Sequence, residues 1–372
     1  MKEMEQSTAD RPVRVLWVFH RLDRGGAENM CMNLYRRMDR SRVQLDFVKH
    51  GPSAGAFEDE IRALGGRIYE APEYRVVNHA AYCRWWRRHL AEHPEHQIIH
   101  GHYFTISAVY FKEARRMGRV TVGHAHSTAP VRLRWQTRVK LHLTKQAEKY
   151  ADYCLACSQE AGRWLFPHRE FTVLNNAVDA ERFRFRPQTA REVREELGLG
   201  DFLVVGTVGR IVEPKNPMGI VSIFKALCGK EPSARLLWVG DGPLRQAAEA
   251  ALAKEDLRDR VIFTGVRADV ERLMQAMDVF ILPSLFEGLP VVLVEAQAGG
   301  LYCLCGQSVT READITGRCA FLPLDSPELW AERILAAPRD RPDTREAVRQ
   351  AGYDVDDTVK WLEQFYLDCL QR

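Results

Sequence analysis

Short apolar runs alternate with stretches of helical period along most of the chain. Val13 to Phe19 is a β-rich run, the pattern of a strand buried in a parallel sheet. Asp23-Arg24-Gly25-Gly26 breaks it, and Ala27 to Met38 then sets Met30, Leu34 and Met38 on one helical face. Val43–Val48 reads as a second strand. Phe57–Leu64 reads as a helix stopped at Gly65-Gly66, a common helix C-cap signal. Further strands are expected at 67–69, 98–100, 120–122, 153–157 and 172–174, with a helix over 106–117.

The segment Phe183 to Arg191 contains Pro187 and no apolar period, so a linker is expected there. Beyond it the alternation restarts. Strands are predicted at 203–208, 235–239, 261–264, 279–282 and 302–304, and helices at 219–227, 244–253, 270–277 and 290–298. A last helix over Thr358–Leu370 carries Val359, Leu362, Phe365, Tyr366 and Cys369 at helical spacing. Repeated β-α units imply an α/β protein with two doubly wound parallel sheets. The expected division is 1–186, 187–352 and a terminal segment 353–372. Ligands of such sheets bind beyond the carboxyl ends of the strands, so two facing domains would form a cleft.

Length agrees: 372 residues suit two domains. Charge adds an asymmetry. The formal net charge of +3 averages a first half (1–186) with 31 basic against 21 acidic residues and a second half with 22 against 29. A basic half favours phosphorylated ligands or anionic surfaces. Nine cysteines, an odd count, and a polar start with no apolar signal segment point to reduced thiols in the cytoplasm. No apolar run is long enough to span a membrane.

The sharpest chemistry lies in the second half. Glu287 and Glu295 are eight apart, the first on a loop after a strand and the second in the following helix. Gly288, Leu289, Pro290 and Val291 make a tight entry to that helix, whose free N–H groups could face a ligand. A carboxylate there can hold sugar hydroxyls, and Glu295 could hold the paired hydroxyls of a ribose. Gly209-Arg210…Lys215-Asn216 follows a strand, and an Arg with a Lys on one loop can clamp a diphosphate. Gly240, Asp241 and Gly242 form another strand-to-helix turn, open to close approach by a nucleoside. At a third, Gly265-Val266, the backbone could read a base edge. None of these is a G-x-G-x-x-G or Walker A loop, which disfavours nicotinamide cofactors and P-loop chemistry.

Together, Gly209-Arg210…Lys215-Asn216, Val239-Gly240-Asp241-Gly242, Phe263-Thr264-Gly265 and Pro283-Ser284-Leu285-Phe286-Glu287-Gly288-Leu289-Pro290…Glu295 resemble the retaining glycosyltransferases of family 4. Their order and strand contexts also match. The resemblance implies a GT-B fold and a nucleotide-diphosphate sugar held mainly by the second domain, a UDP-sugar ahead of a GDP-sugar. It implies that Arg210 and Lys215 neutralise the leaving diphosphate, Glu287 contacts the donor sugar and Glu295 the ribose. Gly25-Gly26, between the first strand and helix, would lie near the donor across the cleft, where glycine permits close approach and the helix end favours an anion. His126 would lie near the reacting sugar, with His124 as the alternative.

Leu64-Gly65-Gly66-Arg67, Asn175-Asn176-Ala177-Val178-Asp179 and Glu295-Ala296-Gln297-Ala298 are similar to the exopolysaccharide and capsule branch, which implies a lipid-linked acceptor. Gly300-Leu301-Tyr302 departs from the usual Pro at its third position.

No metal or cofactor is expected. His100-x-His102 and His124-x-His126 read as strand-end histidines without an accompanying Asp cluster, and Cys154-x-x-Cys157 has no second pair. Arg84-Trp85-Trp86-Arg87-Arg88 and the basic, aromatic-interleaved segment Arg132–Lys149 suit an anionic membrane surface and a polyprenyl-diphosphate acceptor. In the second segment the basic residues are Arg132, Arg134, Arg138, Lys140, Lys145 and Lys149. Two other classes remain. A sugar phosphorylase of the same fold would reveal itself by pyridoxal absorbance. A two-lobed sugar-binding protein would not need the phosphate clamp.

Overall fold

The computed structural model describes residues 11–23, 25–102, 104–126, 143–287 and 289–371. Two compact units are present: residues 1–177 with 355–372, and residues 178–354.

The first unit is built on a parallel sheet. Its strands are β1 (Val13–Val18), β2 (Val43–His50), β3 (Ile68–Ala71), β4 (His96–Gly101), β5 (Val120–Ala125), β6 (Tyr153–Ala156) and β7 (Thr172–Val173). Their order is β3-β2-β1-β4-β5-β6-β7. The chain winds outward from β1 in one direction, then returns to place β4 on its other side. Both faces are covered. Val15 and Trp17 of β1 enter one core with Met30 and Leu34, while Leu16 and Val18 enter the other with Trp86, Tyr110 and Phe111. Burial on both faces explains why β1 reads as a continuous apolar run.

A buried charge network pins three of these strands. Asp46 on β2 accepts two bonds from the Arg14 guanidinium on β1, at 2.7 and 2.5 Å. It also lies 2.8 Å from His96 Nε2 on β4 and accepts the Arg67 amide at 2.8 Å. Burial alone would raise the Asp46 carboxyl. The bonds from His96, Arg14 and the Arg67 amide outweigh it and hold the group well below the usual carboxylate range.

The terminal helix Val355–Cys369 belongs to this unit. Leu362 and Tyr366 are fully buried in the core that holds Trp17. The Trp17 indole donates to the Tyr366 hydroxyl at 2.9 Å, and Glu363 accepts the Asp39 amide at 2.6 Å and Arg42 at 3.1 Å.

The second unit carries β8 (Val204–Val208), β9 (Arg235–Val239), β10 (Val261–Gly265), β11 (Val279–Leu282), β12 (Tyr302–Gly306) and β13 (Cys319–Leu322), all parallel. Their order is β10-β9-β8-β11-β12-β13, so the winding reverses between β8 and β11. Residues alternate between two cores: Val279 and Ile281 pack on one face, Phe280 and Leu282 on the other.

The boundary falls elsewhere than at residue 186. Phe183 is buried in the second unit's core, and Pro187 opens a helix over Pro187–Glu196 that buries Ala190 and Val193. Proline in a first turn sacrifices no helix hydrogen bond, so the apparent breaker is a start signal. The helices His79–Glu92, Pro327–Ala336 and Arg345–Gln350 and the strand β13 have no counterpart among the expected elements. Among the described residues no helix is long and apolar enough to cross a membrane.

Candidate active site

In a doubly wound sheet the loops leaving the two strands at the reversal diverge, which opens a crevice at the carboxyl edge. In the second unit these are the loop after β8, with Arg210 and Lys215, and the loop after β11, with Glu287. Local chemistry ties the two together. Asn216 takes a left-handed conformation (φ 54°, ψ 56°) and caps the helix Pro217–Lys230 by accepting the Gly219 amide at 3.1 Å. Its Nδ2 donates to the Pro283 carbonyl at 3.0 Å, and the Leu285 amide donates to the Pro214 carbonyl at 2.8 Å.

The result is an ion pair across the crevice. Lys215 Nζ lies 2.6 Å from Glu287 Oε1, with both side chains mostly shielded. Arg210 is exposed on the same loop and makes no ion pair among the described residues. A cation and a carboxylate side by side can receive a ligand that carries both anionic oxygens and hydroxyl donors.

The glycine loop after β9 lies directly on the first loop. The Ile211 amide donates to the Asp241 carbonyl at 3.0 Å, and the Gly209 amide to Val239 at 2.9 Å. A Cβ at Gly240 (φ 131°) would come within 2.0 Å of the Gly209 carbonyl oxygen, and one at Gly242 within 2.4 Å of that of Ile211. Only glycine fits there. Gly240 in turn donates to Gly265 at 2.8 Å, so all three glycine turns form one connected edge. Val266 stands exposed beside it. The Asp241 carboxylate accepts the Gly242 amide at 2.7 Å and pairs with Arg245 at 3.3 Å.

Past Glu287, Gly288 lies outside the described residues. Leu289 and Pro290 lead into the helix Val291–Ala298, and no side chain caps its first turn. Glu295 sits one turn in, partly buried. Burial pushes its carboxyl up to about 7, with Glu271 adding to the rise and Arg182 opposing it. The helix is held from behind by Gln297, whose side chain donates to Leu293 and Ala313 and accepts from Ile315 and Thr316. That anchoring role, like the tie made by Asn216, is invisible in the sequence, because both residues read there only as parts of motifs.

In the first unit, Gly25 precedes the helix Gly26–Arg37, which has no side-chain cap. Arg24 lies outside the described residues. A Cβ at Gly26 would meet nothing, whereas one at Gly25 would strike the Glu28 carboxylate. His126 follows β5 and is partly buried, and His124 within β5 is buried. Burial lowers His126 to about 3 and drives His124 well below the usual imidazole range, so both are neutral at pH 7.

The first basic cluster differs in part from the expectation. Arg84, Arg87 and Arg88 are exposed on the helix His79–Glu92. Their aromatic neighbours are not: Trp86 is fully buried against Tyr110, and Trp85 stacks on His89 with centroids 5.0 Å apart. A tryptophan between arginines faces inward when helical period places it on the core side. Arg87 also pairs with buried Glu113 at 2.9 Å. In the second cluster Lys145 and Lys149 are exposed, and Arg132, Arg134, Arg138 and Lys140 lie outside the described residues.

Solved structures share this architecture. HepE of Anabaena, crystallised in complex with UDP and glucose, superposes with a TM-score of 0.77 over 95% of this chain and 98% of its own, at 20% identity. The fold is GT-B. Two family profiles match, "Glycosyltransferase Family 4" over residues 24–182 and "Glycosyl transferases group 1" over 203–340. EpsF of Bacillus subtilis, which carries a glycosyltransferase assignment, is 35% identical over 368 residues, 95% of this chain and 96% of its own. An Escherichia coli UDP-Gal:alpha-D-GlcNAc-diphosphoundecaprenol alpha-1,3-galactosyltransferase is 32% identical over 139 residues, 36% of each chain. The chain belongs to the family 4 glycosyltransferases.

Asn216→Ala removes a cap worth about 1 kcal/mol and places a Cβ-bearing residue without a local side-chain bond in the left-handed region, at about 1 kcal/mol more. Asn216→Gly tolerates that conformation, so urea unfolding of the second unit should rank wild type above Gly above Ala. Glu295 binds its proton more tightly folded than unfolded, so its contribution to stability is greatest below its ordinary value of 4.5 and falls as pH rises through about 7. Glu295→Gln should flatten the decline of the melting temperature between about pH 5 and 8.

Proposed function

We propose that this glycosyltransferase moves a hexose from a UDP-sugar to a lipid-linked or saccharide acceptor in bacterial exopolysaccharide or capsule synthesis, with retention at the anomeric carbon. The observation that carries the reading is the Lys215–Glu287 pair at 2.6 Å beside exposed Arg210, at the crevice of a GT-B donor unit. The diphosphate lies against Arg210 and Lys215. Glu287 keeps lone pairs beyond its bond to Lys215 and accepts the sugar hydroxyls. Glu295 takes the ribose hydroxyls, and the edge at Gly209, Gly240, Gly242, Gly265 and Val266 takes the nucleoside.

The bond from the anomeric carbon to the diphosphate oxygen breaks, and its electron pair leaves with the phosphate. The acceptor oxygen bonds to the same face of the sugar, and its proton passes to the departing phosphate oxygen. Fixed cations stabilise the charge that grows on the diphosphate without reorganising. No metal or other cofactor is needed for this sequence of steps. Gly25, Gly26 and His126 are assigned to the reacting end of the donor on resemblance alone. Two relatives support the donor and acceptor classes: HepE was crystallised with UDP and glucose, and the E. coli enzyme is named for UDP-Gal and a diphosphoundecaprenol acceptor.

In this reading the basic first unit meets an anionic leaflet in the cytoplasm. Exposed Val76 and Val77 lead into the helix bearing Arg84, Arg87 and Arg88. The contact rests on arginine charge and these valines, since the tryptophans are turned inward.

UDP should raise the melting temperature of the chain more than GDP at equal concentration. Lys215→Ala and Glu287→Ala should each lower transfer by about 100-fold or more while leaving circular dichroism unchanged. Turnover at the wild-type rate in either would remove that residue from the site. Sedimentation with phosphatidylglycerol vesicles at low salt should pull the protein down, and Arg84→Gln with Arg88→Gln should weaken the binding by about 1 kcal/mol per charge. Equal recovery with neutral vesicles would sink the membrane assignment.

A further inference from the structure

Beyond the transferase reading, the carboxyl edge of the first sheet holds a group of imidazoles that the proposed chemistry does not use. His100 lies in β4, His102 follows its last residue, and His124 lies on the adjacent strand β5. All three are buried: His100 is 0%, His124 1% and His102 6% exposed. One nitrogen from each ring lies within 4.8 Å of the others. The rings are layered, with centroids 4.3 Å apart for His100 and His102 and 5.3 Å for His100 and His124.

Their hydrogen bonding is incomplete in a particular way. His100 Nδ1 is engaged by the Tyr366 hydroxyl at 2.5 Å, and its Nε2 has no partner among the described residues. His102 Nδ1 is engaged by His126 Nε2 at 2.7 Å. Both nitrogens of His124 lack a partner among the described residues. A buried polar nitrogen without a partner is costly, and His100 and His124 carry such nitrogens, while His102 Nε2 has only Cys31 Sγ at 3.9 Å among the described residues. Cys31 Sγ stands beside them, 3.6 Å from His102 Nδ1.

We propose that His100, His102 and His124 form a binding site for one zinc-class transition-metal ion. Neutral imidazole is the common ligand of such ions, and three suffice for a site with an open fourth position. A tetrahedral ion with bonds of about 2.05 Å sets its ligand nitrogens about 3.3 Å apart, so each ring nitrogen moves by less than about 1 Å. The outer contacts are those that metal-bound histidines require. Tyr366 on His100 Nδ1 and His126 on His102 Nδ1 hold those two rings and leave their Nε2 atoms as the ligand nitrogens. Tyr366 is itself held by Trp17, so the site is braced from the unit's core.

The test is equilibrium dialysis of the tag-free, chelator-stripped full chain against Zn2+, with circular dichroism as the folding control. One equivalent should bind and the melting temperature should rise with free Zn2+. His124→Ala and His102→Ala should each weaken binding by about tenfold or more, and Tyr366→Phe, which removes an outer contact, should weaken it by about tenfold. His79→Ala, an exposed histidine elsewhere, should leave it unchanged. Should the histidine variants fail to fold, the wild-type chain loaded with Co2+ should show the intense visible absorption of a four-coordinate site. Failure of the folded wild type to retain Zn2+, or retention unchanged in folded His124→Ala, would show that the rings merely stack. Because binding is read directly, neither outcome depends on the donor or acceptor assignments.

Discussion

In a parallel sheet every strand ends on the same edge, and that constraint organises both units of this protein. Each connection must cross a face as a helix, so all the loops that follow strands collect along one rim. Where the winding reverses, two neighbouring loops part instead of running on together. In the second unit the reversal between β8 and β11 places Lys215 beside Glu287 although 72 positions separate them in the chain. In the first unit the reversal lies between β1 and β4, so the turn at Gly25 follows one of its strands and His102 the other.

The rim is held by small groups rather than large ones. Asn216 makes one loop cap a helix and grip the neighbouring loop, and Gly240 and Gly242 let backbones touch where any side chain would collide. Rigid loops on a rigid sheet matter for transfer chemistry, because charge stabilisation is effective only when the charges are already in place. Glu295 shows the opposing demand. Its helix position takes it out of water, and the carboxyl is less acidic for it.

The excess of basic residues in the first half is also explained in part by folding. Arg14, Arg36, Arg62, Arg67 and Arg87 all face carboxylates within this unit. Among the described residues, what remains is a smaller exposed set that includes Arg21, Arg75, Arg84, Lys112, Lys145, Lys149 and Arg163. Net charge counted along a sequence therefore overstates the charge that a surface presents, since it does not separate paired groups from free ones.

Most strand positions and the two-sheet class were legible because a buried strand is a local pattern, an apolar run bounded by glycine; β13, with Cys319 and Ala320 in place of such a run, was not. Helix His79–Glu92 was not, because its arginine-rich sequence masks the apolar face made by Tyr82, Trp86 and Leu90. Pro187 read as a break because a proline looks the same at a helix start as at a stop. The histidines read as two unrelated strand-end pairs, and only pairing of β4 with β5 gathers them around one point. The sequence by itself determined which residues could carry charge, turn tightly or enter a core, since those are properties of side chains and of short stretches of backbone. Tertiary structure decided which of them meet, which are paired away and which stay buried without a partner, because those depend on strand order, and strand order is set by packing across the whole sheet.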